Sequence, residues 1–199
     1  MVKRAFDLLF SLISIALLLP VAILLAMLIY FDDRGPVFFC QQRVGLNKQP
    51  FKLYKFRSMR VKLSPNNGSF DAGNLSNITR VGKILRKTKL DEIPQFFNVL
   101  KGDMSLVGPR PEVERWVSES PQLWDFILTV KPGITDNAAI RFRNEEEILA
   151  NISNPELYYK EIILPQKLNI YREYILLQSF VGDMRIIFKT LISIFSNWK

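Results

Sequence analysis

From Leu8 to Phe31 the chain carries no charged residue. A run of about two dozen such positions is long enough, as a helix, to cross a hydrocarbon layer roughly 30 Å thick. A secretory leader fits this segment less well. The run exceeds the apolar region of a leader, and it is followed by Tyr30-Phe31-Asp32-Asp33-Arg34 instead of a small-residue cleavage site. Pro20 sits near its middle, where the missing N–H and the clash with the preceding turn predict a bend. If the bend is sharp, each half has about a dozen residues, or roughly 18 Å, which is too short to cross but enough to dip into one leaflet and return. A kinked spanning helix is the alternative, since a membrane helix tolerates proline when the freed carbonyl finds another partner. Lys3 and Arg4 precede the segment and Arg34, Arg43 and Lys48 follow it, so the positive-inside tendency puts both ends in the cytoplasm.

The remaining chain is long enough for one domain with a core and too short for two. The formal charge of +8 points to an anionic partner: nucleic acid, an acidic lipid surface or a phosphate-rich substrate. Histidine is absent, which removes imidazole acid/base chemistry, Ser-His and Cys-His nucleophiles and the commonest zinc ligands. Catalysis would rest on carboxylates, cations and a hard metal ion. The single cysteine, Cys40, follows Val37-Phe38-Phe39. It allows no internal disulfide and reads as a buried thiol in a reducing compartment.

Val37 to Met59 reads as short strands around a turn at Gly45-Leu-Asn-Lys48. Phe51-Lys-Leu-Tyr-Lys-Phe-Arg57 alternates apolar and basic residues, so Lys52, Lys55 and Arg57 form a basic strand face, either solvated or lining an anion site. Ser64 to Asn77 has loop composition. Ile78 to Lys89 reads as a basic helix bearing Arg80, Lys83, Arg86, Lys87 and Lys89, and Leu90 to Leu100 as a new helix with Pro94 in its first turn, ended by Gly102. An amphipathic helix is expected near Glu112 to Val130, then a turn at Lys131-Pro-Gly133 and a helical remainder. At the end, Met184, Ile187, Phe188, Leu191, Ile192, Phe195 and Trp198 make an apolar stripe opposite Arg185, Lys189, Ser193, Ser196 and Asn197, suited to a membrane surface or to closing the core.

Three features could carry chemistry. Asp91-Glu92 follows five cations; alone it reads as a helix cap, but it could also be a carboxylate pair working on phosphates held by those cations. Gly108-Pro109-Arg110-Pro111 fixes the backbone around one arginine, lowering the entropy lost when it grips an anion. Lys131-Pro-Gly-Ile-Thr135 precedes Arg141 and Arg143, which could reach the same pocket.

Tyr54-Lys-Phe-Arg-Ser-Met59, Leu90-Asp-Glu-Ile-Pro-Gln95, Phe97-Asn-Val-Leu-Lys-Gly-Asp-Met-Ser105, Val107-Gly-Pro-Arg-Pro111 and Lys131-Pro-Gly-Ile-Thr135, taken together and in this order, resemble the motif series of the bacterial sugar transferases, the monotopic phosphoglycosyl transferases. The resemblance runs over nearly the whole chain, from Lys3-Arg4-Ala5-Phe6-Asp7 onward, and is to the minimal members of that family. It implies a helix-rich α/β fold with short strands, divided into a re-entrant helix-break-helix at Pro20 over residues 1–34 and a catalytic domain over 35–199 with a C-terminal interfacial helix. The implied location is the cytoplasmic face of the bacterial inner membrane.

The implied reaction converts a UDP-sugar and undecaprenyl phosphate to polyprenyl diphosphosugar and UMP. Asp91 is the implied nucleophile, and Glu92 its partner in holding Mg²⁺ or orienting the second nucleophile. Pro109, Arg110 and Pro111 match the nucleotide-binding turn, Arg86 and Arg143 the phosphate-holding positions, and Arg57 falls within a motif and is assigned to the same anion site. Membrane lipids are expected contacts, a homo-oligomer is compatible, and no nucleic-acid partner is implied. The chain departs from many relatives at Asp136-Asn-Ala-Ala-Ile-Arg-Phe142, where they have Gly-Trp-Ala-Gln-Val-Asn-Gly, which leaves sugar specificity and Arg141 unassigned. Leu19 stands where some relatives have Ser before the membrane proline.

A membrane-anchored basic module for acidic lipids or nucleic acid is the competing reading. It explains the charge but neither the Asp-Glu pair nor the rigid arginine turn. A conventional glycosyltransferase is disfavoured, because neither an Asp-x-Asp nor a Gly-x-Gly-x-x-Gly motif occurs.

Overall fold

The computed structural model describes residues 2–60 and 75–196, with 75, 195 and 196 described by backbone alone. The expected loop from Ser64 therefore lies, up to residue 74, outside the described residues, as do the side chains of Phe195 and Trp198. The uncharged run forms one helix, α1 (Val2–Asp33), with Pro20 inside it. It is long and apolar enough to cross a membrane, and only 11% of its most apolar window is covered by the rest of the protein. The helix is continuous through Pro20, where two separate halves were one expectation: a proline deletes a single backbone bond, which a helix can absorb as a bend.

Both ends of α1 dock on the same body. Near its start, Lys3 donates to Val107 O (3.0 Å) and pairs with Asp183, Arg4 donates to Val99 O (2.8 Å), and buried Asp7 accepts from Ser105 Oγ (2.8 Å). At its end, Asp33 pairs with Arg57, and Asp32 accepts from Val81 N (3.0 Å), a free N–H in the first turn of α2 (Arg80–Thr88). Thr79 caps α2 by accepting from Gly82 N at 2.9 Å.

The alternating segments pair as an antiparallel hairpin, β1 (Phe38–Val44) with β2 (Pro50–Phe56), in register Phe38 to Phe56. Asn47 and Lys48 take positive φ in its turn. Helix α3 (Gln95–Lys101) begins after Pro94 and ends at Gly102 (φ 94°). Its buried Asn98 acts as a substitute strand: Oδ1 accepts from Tyr54 N (3.1 Å) and Nδ2 donates to Lys52 O (2.7 Å). This fastens β2 to α3.

β3 (Ser105–Val107) runs parallel to β4 (Gly133–Thr135), so the last two motifs lie side by side. The contact is too close for side chains: a Cβ on Gly133 would sit 2.1 Å from Gly108 N. The Lys131-Pro-Gly turn thus leads straight into a strand.

The single helix expected near Glu112 to Val130 is two, α4 (Glu114–Glu119) and α5 (Pro121–Ile127). Pro121 cannot continue α4, but its fixed φ suits the first turn of a new helix. After α6 (Asn137–Arg141), α7 (Glu145–Ala150) and α8 (Pro155–Tyr158), a π-turn over Tyr159–Ile163 leads into α9 (Leu164–Leu176) and α10 (Phe180–Ser196).

The main core gathers Trp116, Trp124, Leu149, Ile163 and Tyr171; a second links Leu53, Val99 and Met104 to Ile186 of α10. A third ties Leu25 and Ile29 of α1 to Phe56 and Leu85. Helix α10 turns Asp183 and Ile186 inward and leaves Val181, Phe188 and Ile192 exposed. Cys40 is exposed on β1, a correction to the buried thiol expected from its apolar neighbours: a two-stranded hairpin has no second layer to cover that position.

Candidate active site

Helix α2 stops at Lys89, whose left-handed conformation (φ 59°) reverses the chain into a short 3₁₀ turn, Leu90–Glu92. That turn brings the acidic pair between β2 and the Pro-Arg-Pro segment. Glu92 Oε1 accepts from Lys55 Nζ at 3.0 Å and from Arg110 Nη2 at 2.6 Å. Burial alone would raise the Glu92 carboxyl; Arg110 and Lys55 outweigh it and hold the group well below the usual carboxylate range. Glu92 in turn raises Arg110 above its ordinary value, while Lys55 is lowered by burial against the pull of Glu92.

Asp91 differs from its neighbour. It is 6% exposed, and its Oδ1 has no hydrogen-bond partner among the described residues. Burial raises its carboxyl, with Lys55 opposing and Glu92 adding to the rise. The turn therefore holds one carboxylate paired with two cations through Oε1 and one carrying an unused, shielded oxygen.

Behind the arginine turn lies a buried brace. Pro109 O accepts from Gly133 N (2.9 Å) and Pro111 O from Arg43 Nη1 (3.2 Å). Glu112 accepts from Arg43 (3.2 Å) and from Tyr159 OH (2.6 Å). Arg110 is thus presented from a segment fixed on both sides.

Arg86, expected to hold phosphate, donates to Ser58 Oγ and to Glu146, both at 2.9 Å. The other cations of the basic run, Arg80, Lys83 and Lys87 of α2 and Lys89 at its end, are exposed, so the run is mostly a solvated face. Arg143 donates to Ser193 Oγ at 2.9 Å, whereas Arg141 is exposed, stacks on Phe142 and donates to Gln166. Arg57 lies apart from the acidic pair, with its side chain 5% exposed in the ion pair with Asp33. Of the strand-face cations it is Lys55 that meets the pair: Lys52 falls on the opposite side of β2, and Arg57 is taken by Asp33 at the end of α1.

A cavity of about 490 Å³ adjoins these groups, with Lys89, Glu92, Arg110, Arg143 and Tyr171 in its lining. Asp91 stands beside it and is not itself a lining residue. Asp136, the first residue of the segment that departs from the relatives' pattern, is buried and caps α6 by accepting from Ala139 N at 2.9 Å. Burial raises it to about 6 against that hydrogen bond. The sequence marks Lys55 by alternation, but nothing in it pairs Arg43 with Glu112 or Arg86 with Glu146, which are separated by 69 and 60 positions.

The family model for bacterial sugar transferases matches residues 1–197. An Aeromonas hydrophila UDP-N-acetylgalactosamine-undecaprenyl-phosphate N-acetylgalactosaminephosphotransferase is 43% identical over 70% of this chain and 34% of its own length. The Escherichia coli UDP-glucose:undecaprenyl-phosphate glucose-1-phosphate transferase is 35% identical over 99% of this chain, which spans 41% of that protein. An exopolysaccharide production protein, PSS, of Rhizobium leguminosarum is 38% identical over 96% of this chain and 94% of its own length. The chain thus spans about a third to two fifths of the two longer relatives and nearly all of the shorter one.

Proposed function

This chain belongs to the bacterial sugar transferase family, and from that premise we propose that it moves a sugar-1-phosphate from a UDP-sugar to undecaprenyl phosphate, with UMP released. The observation that carries this reading is the unpartnered, buried Oδ1 of Asp91 beside a Glu92 already neutralised by Lys55 and Arg110. Asp91 attacks the phosphorus that bears the sugar, and the bond to UMP breaks, leaving an aspartyl phosphosugar. A phosphate oxygen of the lipid then attacks that phosphorus and frees the carboxylate. No histidine is needed, because the acceptor phosphate is already largely ionised at neutral pH.

Arg110, Lys55, Arg86 and Arg143 offset the charge that gathers when a carboxylate meets a diphosphate. Asp91 and Glu92 are donors of the hard oxygen type that Mg²⁺ takes, usually one or two carboxylates together with substrate phosphates, and the free Asp91 oxygen fits that use. When bound, the ion supplies further neutralisation of the phosphoryl oxygens.

The topology we propose is a dip into the cytoplasmic leaflet of the inner membrane, over residues 1–34, under a catalytic domain of 35–199. Support comes from the docking of both ends of α1 on one body, through Lys3, Arg4 and Asp7 at one end and Asp32 and Asp33 at the other. A spanning helix would separate its ends by roughly 30 Å of hydrocarbon.

The test is UMP release from a panel of UDP-sugars with Mg²⁺ and undecaprenyl phosphate. Lipid-dependent release from one donor, abolished in Asp91→Asn, is expected; full activity in that variant would remove Asp91 from the nucleophile's role.

A further inference from the structure

The cavity beside Glu92 has two chemically unlike ends. Its charged end is made by Glu92, Arg110 and Arg143. Lys89, Glu145, Glu146 and Lys167 also line it, but most of the remaining wall is hydrocarbon, including Phe10 and Leu18 of α1, Ile134 of β4, Ile140 of α6 and Leu191 of α10. A UDP-sugar, all hydroxyls, phosphates and a uracil ring, leaves those apolar walls unused. A ligand with an anionic head on a hydrocarbon body matches both ends.

The α1 wall agrees. Leu18 belongs to the uncharged run, and its sequence neighbours Leu17 and Leu19 are 72% and 53% exposed. A bilayer holding α1 would therefore bring hydrocarbon up to the α1 wall of the cavity. The volume of about 490 Å³ lies within the range of roughly 300–1,000 Å³ typical of small-ligand sites.

We infer that this apolar half seats the first isoprenoid units of the lipid phosphate acceptor, with its phosphate at the Glu92, Arg110 and Arg143 end and the remainder of the tail in the membrane. The inference rests on the transferase reading above and adds a tail site between α1 and α10. It favours a phosphate joined directly to hydrocarbon over a phospholipid, because charged and apolar residues that follow one another in the chain, Glu92-Ile93 and Phe142-Arg143, both line the cavity. Most neutral hydroxyls of the lining are already engaged, Thr135 with Thr190 at 2.7 Å and Ser193 with Arg143 at 2.9 Å, while the buried Tyr171 hydroxyl has no partner among the described residues. Little is left to receive a glycerol ester.

The full chain in nanodiscs of phosphatidylethanolamine and phosphatidylglycerol, exposed to a polyprenyl phosphate carrying a diazirine in its first isoprene unit, tests this directly. Crosslinks are expected on the peptides holding Ile134, Ile140 and Leu191, suppressed by undecaprenyl phosphate. Crosslinks confined to Leu17 and Leu19 on the outer side of α1 would overturn the site. Equal labelling of the cavity by a phosphatidylglycerol probe with a diazirine on its acyl chain would assign it to phospholipid and overturn the acceptor. Ile140→Trp and Leu191→Trp, on two helices that line the cavity, should each raise the acceptor KM by roughly tenfold and move the donor KM far less; equal shifts in both would count against a tail site. Crosslinking needs no turnover, so absence of UMP release from every donor would defeat the transferase reading and leave the tail site decided by the labelling.

Discussion

Replacing Asn98 by alanine isolates the joint that carries Lys55 to the acidic pair. Asn98 is fully buried, and its amide supplies an acceptor to Tyr54 N at 3.1 Å and a donor to Lys52 O at 2.7 Å. Truncation leaves those two backbone groups without their partner. Each orphaned group costs about 1–3 kcal/mol when water cannot replace the bond. Lys52 is exposed and Tyr54 half-buried, so water recovers part of the loss, and the expected cost is about 2–4 kcal/mol. The third bond, to Asp103 at 3.2 Å, ends on a partly exposed carboxylate and adds little. For a chain of this size, about 2–4 °C per kcal/mol converts the cost to a fall of about 4–16 °C in the unfolding midpoint, read by intrinsic fluorescence of the detergent-solubilised protein. Below that midpoint the loosened β2 should still lower UMP release, since Lys55 is one of two cations on Glu92. A midpoint within about 1 °C of wild type would refute the reasoning, because it would mean that Asn98 does not serve as the strand's partner.

Lys55→Met removes the cation that most opposes the burial-driven rise of Asp91; the acid limb of the pH–rate profile should move to higher pH, so activity falls more at pH 6 than at pH 8, and an unmoved limb would separate Lys55 from the nucleophile. Arg110→Lys keeps the charge but loses the planar fork, and a fall of roughly tenfold or more in kcat/KM for the donor is expected, against near-wild-type values for Arg141→Lys at the surface. Gly133→Ala forces a Cβ into Gly108 N, 2.1 Å away, and should reduce both thermal stability and activity, as judged by unfolding and UMP release. Asp136 has an ordinary value of 3.8, raised to about 6 by burial. Its ionisation therefore penalises the folded state increasingly as pH rises from about 4 through 6. Asp136→Asn, which retains a capping oxygen, should stabilise by up to roughly 3 kcal/mol at pH 8 and by little at pH 4, a trend measurable by denaturant titration at the two pH values.

The parts of this molecule that rest on local periodicity were legible. The uncharged run, the alternating hairpin around Gly45, the basic helix α2 and the Gly102 stop all follow from spacing and backbone preference. What was not legible depends on pairings across distance. The motif Val107-Gly-Pro-Arg-Pro111 and the motif Lys131-Pro-Gly-Ile-Thr135 each look like an isolated turn, and only the parallel pairing of β3 with β4 joins them. Arg57 and Lys55 share a basic strand, yet one is drawn to Asp33 at the end of α1 and the other to Glu92. Two-residue periodicity puts them on the same side, so the choice between them is made by what approaches that strand end. Cys40 is exposed despite its apolar neighbours, because these signal burial only where a second layer covers the sheet. The division of α4 from α5 was foreshadowed by Pro121, a residue that begins helices as readily as it ends them.

Arg86 meets any incoming phosphate as a host already occupied. Its guanidinium is held by Ser58 and by Glu146, a carboxylate brought from the first turn of α7. Taking up a phosphate there is an exchange of one anion for another. The net gain is the difference between two ion pairs, and the released Glu146, already 46% exposed, returns to water at little cost. Added salt weakens the resident pair as well as the new one, so the ionic-strength dependence contributed by this arginine should be shallower than that of an unpaired cation.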